Sequence, residues 1–186
     1  GKVTISRAVG SVTFPAQFML VAAMNPCMCG YYGDLKRECR CGSASIQKYR
    51  QRISGPLLDR IDLHVEVPTV EYKTLSQQTP GESSADIRAR VEKARGIQLE
   101  RFKGEKGIHT NAGMSPRLIR KHCILDAEGA GYLEHAMTNM NFSARAHDRI
   151  LKVARTLADL AGEEQINGGH ILEAINYRAL DRKLWQ

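Results

Sequence analysis

Hydrophobic residues recur at every second position in the first part of the chain and at helical spacing in the rest. Val3 and Ile5, then Val12 and Phe14, alternate with polar neighbours around Arg7-Ala8-Val9-Gly10-Ser11, which predicts a β-hairpin. Phe18 to Met24 is apolar without interruption, as in a central strand covered on both faces. Ile61, Leu63, Val65 and Val67 alternate with Asp62, His64 and Glu66 and predict a half-buried strand ended by Pro68. Between the two apolar stretches, Ser43 or Ser45 can cap a short helix running to about Ser54, before the break at Gly55-Pro56.

The stretch Gln77-Gln78-Thr79-Pro80-Gly81-Glu82-Ser83-Ser84 has linker composition and ends in a helix cap. Beyond it, Ala85 to Arg101 carries Ile87, Val91, Ala94 and Leu99 at near-helical spacing. Ser115-Pro116 opens another helix, with serine at the cap and proline in the first turn. A third is predicted from Asp126 to Met140, with Gly129 and Gly131 inside it. Ser143 caps the most regular one, Ala144 to Ala161, where Ile150, Leu151, Val153, Ala154, Leu157, Ala158 and Leu160 share a side and Gly162 is the stop. Gly168-Gly169 precedes a last helix from about His170 to Leu180. The expected organisation is two domains, a strand-bearing piece over residues 1–75 and an all-helical piece over 76–186. A hairpin and two further strands are too few to cover both faces of a sheet, so the first piece reads as the end of a larger α/β domain.

Composition narrows the class. With 42% hydrophobic and 25% charged residues the chain is globular, neither disordered nor fibrous. No apolar run approaches the roughly 20 residues of a membrane-spanning helix. Gly1-Lys2-Val3-Thr4-Ile5-Ser6 lacks the apolar core of a signal peptide, so a cytoplasmic location without membrane contact is expected. The formal net charge of +7 suits DNA or another polyanion. From Lys36 to Arg52 there are six basic residues, among them Lys36 and Arg37, and one acidic residue, Glu38. A solvated face and a phosphate-facing patch both fit that run.

Cys27-Met28-Cys29 and Cys39-Arg40-Cys41 place four of the five cysteines within fifteen residues. Two thiol pairs across a polar loop can offer four soft ligands to one tetrahedral ion, and zinc suits that geometry. Free thiols and disulfides are the alternatives, and a reducing compartment favours metal over disulfides. A closed four-thiolate site has no position for water, so its expected role is structural. None of the six histidines is needed as a ligand, and His64 is expected in solvent. Cys123 stands apart in a basic helical stretch and is expected to be a partly buried thiol.

Three polar residues sit at element boundaries. Asn25 follows the apolar run before Pro26, where its amide can hold a water or a phosphate oxygen, or simply make the turn. Arg60 opens the Ile61 strand between Asp59 and Asp62. It can either pair with them or reach a neighbouring subunit's phosphate. Arg145 lies in the first turn of the Ser143 helix, where a cation opposes the helix dipole; an anion or plain solvation accounts for it.

The run Val21-Ala22-Ala23-Met24-Asn25-Pro26-Cys27 and the double Cys-x-Cys are the first part of a wider resemblance. Ile53-Ser54-Gly55-Pro56-Leu57-Leu58-Asp59-Arg60-Ile61-Asp62-Leu63-His64 extends it, as do Ser143-Ala144-Arg145 and Arg149-Ile150-Leu151-Lys152-Val153-Ala154-Arg155-Thr156. Together they resemble the magnesium-chelatase-like AAA+ ATPases of the ComM/YifB type, over nearly the whole chain and more loosely from Tyr72 to Gln78. The resemblance implies the end of an AAA+ P-loop core, with hairpin and zinc knuckle, followed by a helical lid. It makes Asn25 sensor 1, Arg60 an arginine finger presented to the adjacent subunit, and Arg145 sensor 2. It also makes Cys27, Cys29, Cys39 and Cys41 a structural zinc knuckle. The hairpin resembles one that related ring motors point into a central channel, with Arg7 facing DNA.

The phosphate-cradling pattern Gly-x-x-x-x-Gly-Lys-Ser/Thr is not in this sequence, and Gly1-Lys2-Val3-Thr4 matches only its tail. No apolar strand ends in an Asp-Glu pair for magnesium. In the family both motifs precede this stretch. The expectation is therefore the sensing part of an ATPase that does not hydrolyse ATP alone. ATP and Mg would bind in the complete protein, with its own N-terminal part and neighbouring subunits, in a hexamer, as partners. The expected function is coupling ATP hydrolysis to DNA remodelling or branch migration. Two alternatives are the motor subunit that inserts magnesium into a porphyrin, and a zinc-dependent binding module without ATPase role.

Overall fold

The computed structural model describes residues 1–34, 36–68, 70, 76, 81–140 and 142–178. It divides into two compact units, Gly1–Arg50 and Gln51–Gln186.

In the first unit, β1 (Lys2–Arg7) and β2 (Gly10–Pro15) form an antiparallel hairpin in the register Val3↔Phe14, Ile5↔Val12 and Arg7↔Gly10. Alternation gives the hairpin two unlike faces. Thr4 and Thr13 meet at 2.9 Å and Ser6 and Ser11 at 2.7 Å on one face. Val3, Ile5, Val12 and Phe14 form the other and remain half exposed. The strand expected over Phe18 to Met24 does not form: Phe18 is 77% and Val21 87% exposed, in a segment that joins no ladder. A strand exists only where a neighbour takes its backbone groups, and among the described residues the sheet ends at β2. Further on, α1 (Ser43–Arg50) starts at Gly42, whose carbonyl accepts from Ser45 and Ile46, so neither serine is the cap. Cys27 and Ile46 are the buried apolar side chains of this unit among the described residues. That is too little apolar burial to hold fifty residues together without a staple.

The second unit is helical. The short α2 (Gly55–Leu58) is followed by α3 (Ser84–Arg101), a 3-10 turn (Asn111–Gly113), α4 (Pro116–His122), α5 (Ala127–Met140), α6 (Ala144–Ala161) and α7 (Gly168–Asn176). Their caps explain their limits. Ser83 Oγ accepts from Asp86 N, Ser143 Oγ accepts from Ala146 N, and Asn167 and His170 cap α7 reciprocally. Gly162 ends α6 at φ 77°, and the Glu163 N–H closes back on the Ala158 carbonyl at 2.8 Å. A side chain at Gly168 would lie 2.9 Å from the Tyr132 ring, which is how α5 and α7 approach closely.

The axis of this unit is α6, with Ile150, Leu151, Ala154 and Ala158 buried in one cluster with Phe102, Leu118, Ile119, Leu133, Ile166 and Ile171. One polar web crosses that core. Asp159 accepts from both terminal nitrogens of Arg101, from Asn111 Nδ2 at 2.8 Å and from Arg155 Nε at 3.1 Å. Arg155 also donates to the Glu163 and Glu164 carbonyls, each at 2.6 Å.

The half-buried strand expected over Ile61 to Val67 is absent too. Leu63, Val65 and Val67 are 50%, 64% and 84% exposed, and His64 N donates instead to the Tyr177 carbonyl at 2.7 Å. His64 is half-buried with both ring nitrogens shielded, not in solvent. The linker residues 77–80 and the end of the last predicted helix beyond Arg178 lie outside the described residues. The architecture is thus a small two-stranded sheet followed by a helical domain.

Candidate functional site

The four clustered cysteines come together in space. Their sulfurs lie within 4.8 Å of one another, with Cys27 3.3 Å from Cys29 and 3.7 Å from Cys39, and Cys29 3.6 Å from Cys39. All are free thiols. Zinc held roughly 2.3 Å from four sulfurs sets them about 3.8 Å apart at the corners of a tetrahedron, so the cluster fits such an ion with small adjustment. The local chain makes this possible. Cys27 O accepts from Gly30 N at 3.1 Å, in a turn that Gly30 can adopt at φ 84°. Across the loop, Asp34 Oδ1 accepts from the Lys36 and Arg37 backbones at 2.7 and 3.0 Å, and these bonds hold its carboxyl below the usual range.

The four thiols differ in acidity. Burial pushes Cys27 up, yet hydrogen bonds from Cys29, the Tyr32 backbone and Cys39 outweigh it and bring it down to about 6. A backbone hydrogen bond from Cys41 pulls Cys39 down, but burial and the neighbouring thiols prevail and it is pushed up to about 12. Four soft donors in this state can bind a metal such as zinc. Cys123 belongs to the helical core, where burial pushes its thiol up to about 11.

Around the cluster, arginines lie against tyrosines. Arg37 sits over Tyr31 at 5.2 Å and donates to its hydroxyl at 2.7 Å; Arg50 sits over Tyr32 at 4.7 Å and donates to the Pro26 carbonyl at 3.3 Å. Lys36 and Arg37 are exposed, as is Arg7 at the end of β1. Beside Arg7, the hairpin tip carries a fully exposed Val9. Asn25 is exposed just before the cluster, in the first unit.

Arg60 and Arg145 belong to the second unit. Arg60 lies in the turn after α2, not at a strand start, and donates to the Pro56 carbonyl at 2.6 Å. The carboxylates on either side are engaged elsewhere. Asp59 accepts from Ser143 Oγ at 3.1 Å and from Arg178 Nη2 at 3.4 Å, and Asp62 pairs with Arg149. Among the described residues no carboxylate pairs with Arg60 or with Arg145, and both are exposed. Arg145 is the second residue of α6, whose first turn holds no acidic residue. The Asp59–Ser143 bond therefore brings the segment of Arg60 to the helix start of Arg145. In the sequence Ser143 reads as a helix cap and as part of the Ser143-Ala144-Arg145 run, with no hint of a partner at Asp59, and Arg178 does not stand out. A lone arginine after a helix gives no signal of its own, and its partners are more than a hundred residues away.

Residues 1–75 match the family described as magnesium chelatase, subunit ChlI, and residues 81–178 match the one described as magnesium chelatase, subunit ChlI C-terminal. Competence protein ComM of Haemophilus influenzae is 44% identical over 185 residues, which is 99% of this chain and 35% of ComM. The YifB proteins of Escherichia coli and Salmonella typhimurium are 42% and 41% identical with the same coverage. The chain thus spans about a third of the length of these relatives. It belongs to the magnesium chelatase subunit ChlI family, among members of the ComM/YifB type.

Proposed function

We propose that the chain is the nucleotide-sensing and lid portion of a longer, ring-forming AAA+ ATPase that remodels DNA. The observation that carries this reading is the state of Arg60. It is exposed beside two carboxylates that bond elsewhere, so its charge stays available to a partner outside the chain. A guanidinium on a braced turn suits the developing charge of phosphoryl transfer on a neighbouring subunit. Arg145, at an acid-free helix start, suits the phosphates held by its own subunit. Asn25 would orient the attacking water as sensor 1. The domain division at residues 75 and 76 assigns the hairpin and cysteine cluster to the core and the later helices to the lid.

Cys27, Cys29, Cys39 and Cys41 would hold one structural zinc in the reducing cytoplasm, supplying the staple that the first unit's small apolar core does not. The net charge of +7, the exposed Arg7 and Arg37 and the cluster's arginine–tyrosine stacks favour DNA over a porphyrin as the partner. ATP and magnesium would be bound by the complete protein, in a hexamer.

The test is ATP turnover by the full-length protein with Arg60→Ala. Loss of a finger arginine lowers kcat by roughly 10³-fold or more while the protein stays folded. Turnover within a few-fold of wild type would reject the assignment.

A further inference from the structure

The contacts that free Arg60 also tie its turn to the helix that bears Arg145. Ser143 Oγ donates to the Asp59 carboxylate at 3.1 Å while accepting from Ala146 N at 3.2 Å, so one hydroxyl both caps α6 and grips the turn. Arg178 is 1% exposed; its Nη1 donates to the Ile61 carbonyl at 2.8 Å and its Nη2 reaches Asp59 at 3.4 Å. Asp62 pairs with Arg149, one helical turn into α6, and His64 N bonds the Tyr177 carbonyl. A guanidinium that deep is stable only with its acceptors in place. Residues 59–64 are thereby clamped at several points to α6 and to the end of α7.

We propose that Asp59, Ser143 and Arg178 are positioning residues forming a latch, through which a subunit whose Arg145 is engaged by its own nucleotide fixes Arg60 for the neighbour's. This inference rests on the roles of Arg60 and Arg145 proposed above. Arg60 is adjacent to Asp59, and Arg145 is two residues from Ser143, so a shift of the α6 start on binding phosphate moves both ends of the Ser143–Asp59 bond. Each ATP site in the ring would then report its occupancy to the next, and turnover would rise cooperatively with ATP.

The experiment measures the ATP dependence of turnover by the full-length ring. Ser143→Asp keeps a cap acceptor but cannot donate to Asp59; Ser143→Thr keeps both abilities; Asp59→Asn removes the charge that Arg178 meets. Wild type and Ser143→Thr are expected to show a Hill coefficient above one. Ser143→Asp and Asp59→Asn are expected to bring it to one, and their double variant to do no more than either alone. A non-cooperative wild type overturns the latch. So does a lower rate with an unchanged Hill coefficient in Ser143→Asp and Asp59→Asn, because a merely structural contact would give that result. Turnover retained by Arg60→Ala would instead reject the finger itself, so the two failures are told apart.

Discussion

Replacing Asp159 by alanine should destabilise the helical unit more than any surface change. Its carboxylate is fully buried and accepts from Arg101, Asn111 and Arg155, joining α3, the 3-10 turn and α6. Burial pushes its pKa up, but hydrogen bonds from Arg101 and Asn111 and the two guanidinium charges prevail and hold it below the ordinary carboxylate range. Alanine would leave Arg155, 3% exposed, and Arg101, 12% exposed, without their shared counter-charge. Breaking such a pair from one side costs about 3–5 kcal/mol. Arg155 keeps the Glu163 and Glu164 carbonyls and Arg101 keeps Asn111, which places the expected loss near the lower end. At about 2–4 °C per kcal/mol for a chain of this size, Tm should fall by about 10 °C. Thermal unfolding followed by far-UV circular dichroism measures it. The pH dependence has a definite sign. A carboxylate held low when folded contributes stability above its unfolded value of about 3.9, and loses it as pH falls through the folded value. Wild type should therefore lose stability in acid below about pH 4, and Asp159→Asn should lose less of it. A Tm unchanged by Asp159→Ala would mean that this buried carboxylate does not hold the helices together.

Elemental analysis of the wild-type chain should find one zinc, and Cys27→Ser should abolish it; metal-free protein from a chelator-free preparation would end the knuckle proposal. Because Cys39 is pushed up to about 12 and must be deprotonated to bind, zinc uptake at neutral pH should release protons and its affinity should rise with pH. Titration calorimetry in buffers of different ionisation heat detects that release, and no buffer dependence would contradict it. Arg7→Ala and Arg37→Ala should each weaken DNA binding by the full-length protein and reduce the slope of log affinity against log salt by about 0.7–0.9. An unchanged slope removes that residue from the interface.

What was legible in the sequence was local. The Ser143 cap, the Gly162 stop and the apolar stripe between them specify α6 within one segment, and the structure reproduces Ala144–Ala161. The hairpin and the cysteine cluster were readable for the same reason: their partners lie a few residues apart. Phe18 to Met24 and Ile61 to Val67 have strand composition, but a strand is completed by its neighbour, and among the described residues no strand lies beside either segment. Whether Asp59 and Asp62 pair with Arg60 was open in the sequence, because they are its nearest acids there. Their actual partners, Ser143 and Arg149, are 84 and 87 residues away.

As proposed, Arg60 acts across a subunit boundary while Arg145 acts within its own subunit. Mixing separately inactive full-length Arg60→Ala and Arg145→Ala proteins tests it most directly. Where an Arg60→Ala subunit holds ATP with its intact Arg145 and its neighbour supplies an intact Arg60, both arginines of one site are restored, and only the latch of that neighbour, which lacks Arg145, stays unset. The mixture should regain ATP turnover that neither protein shows alone; a mixture as inactive as its parts would rule out this division of roles.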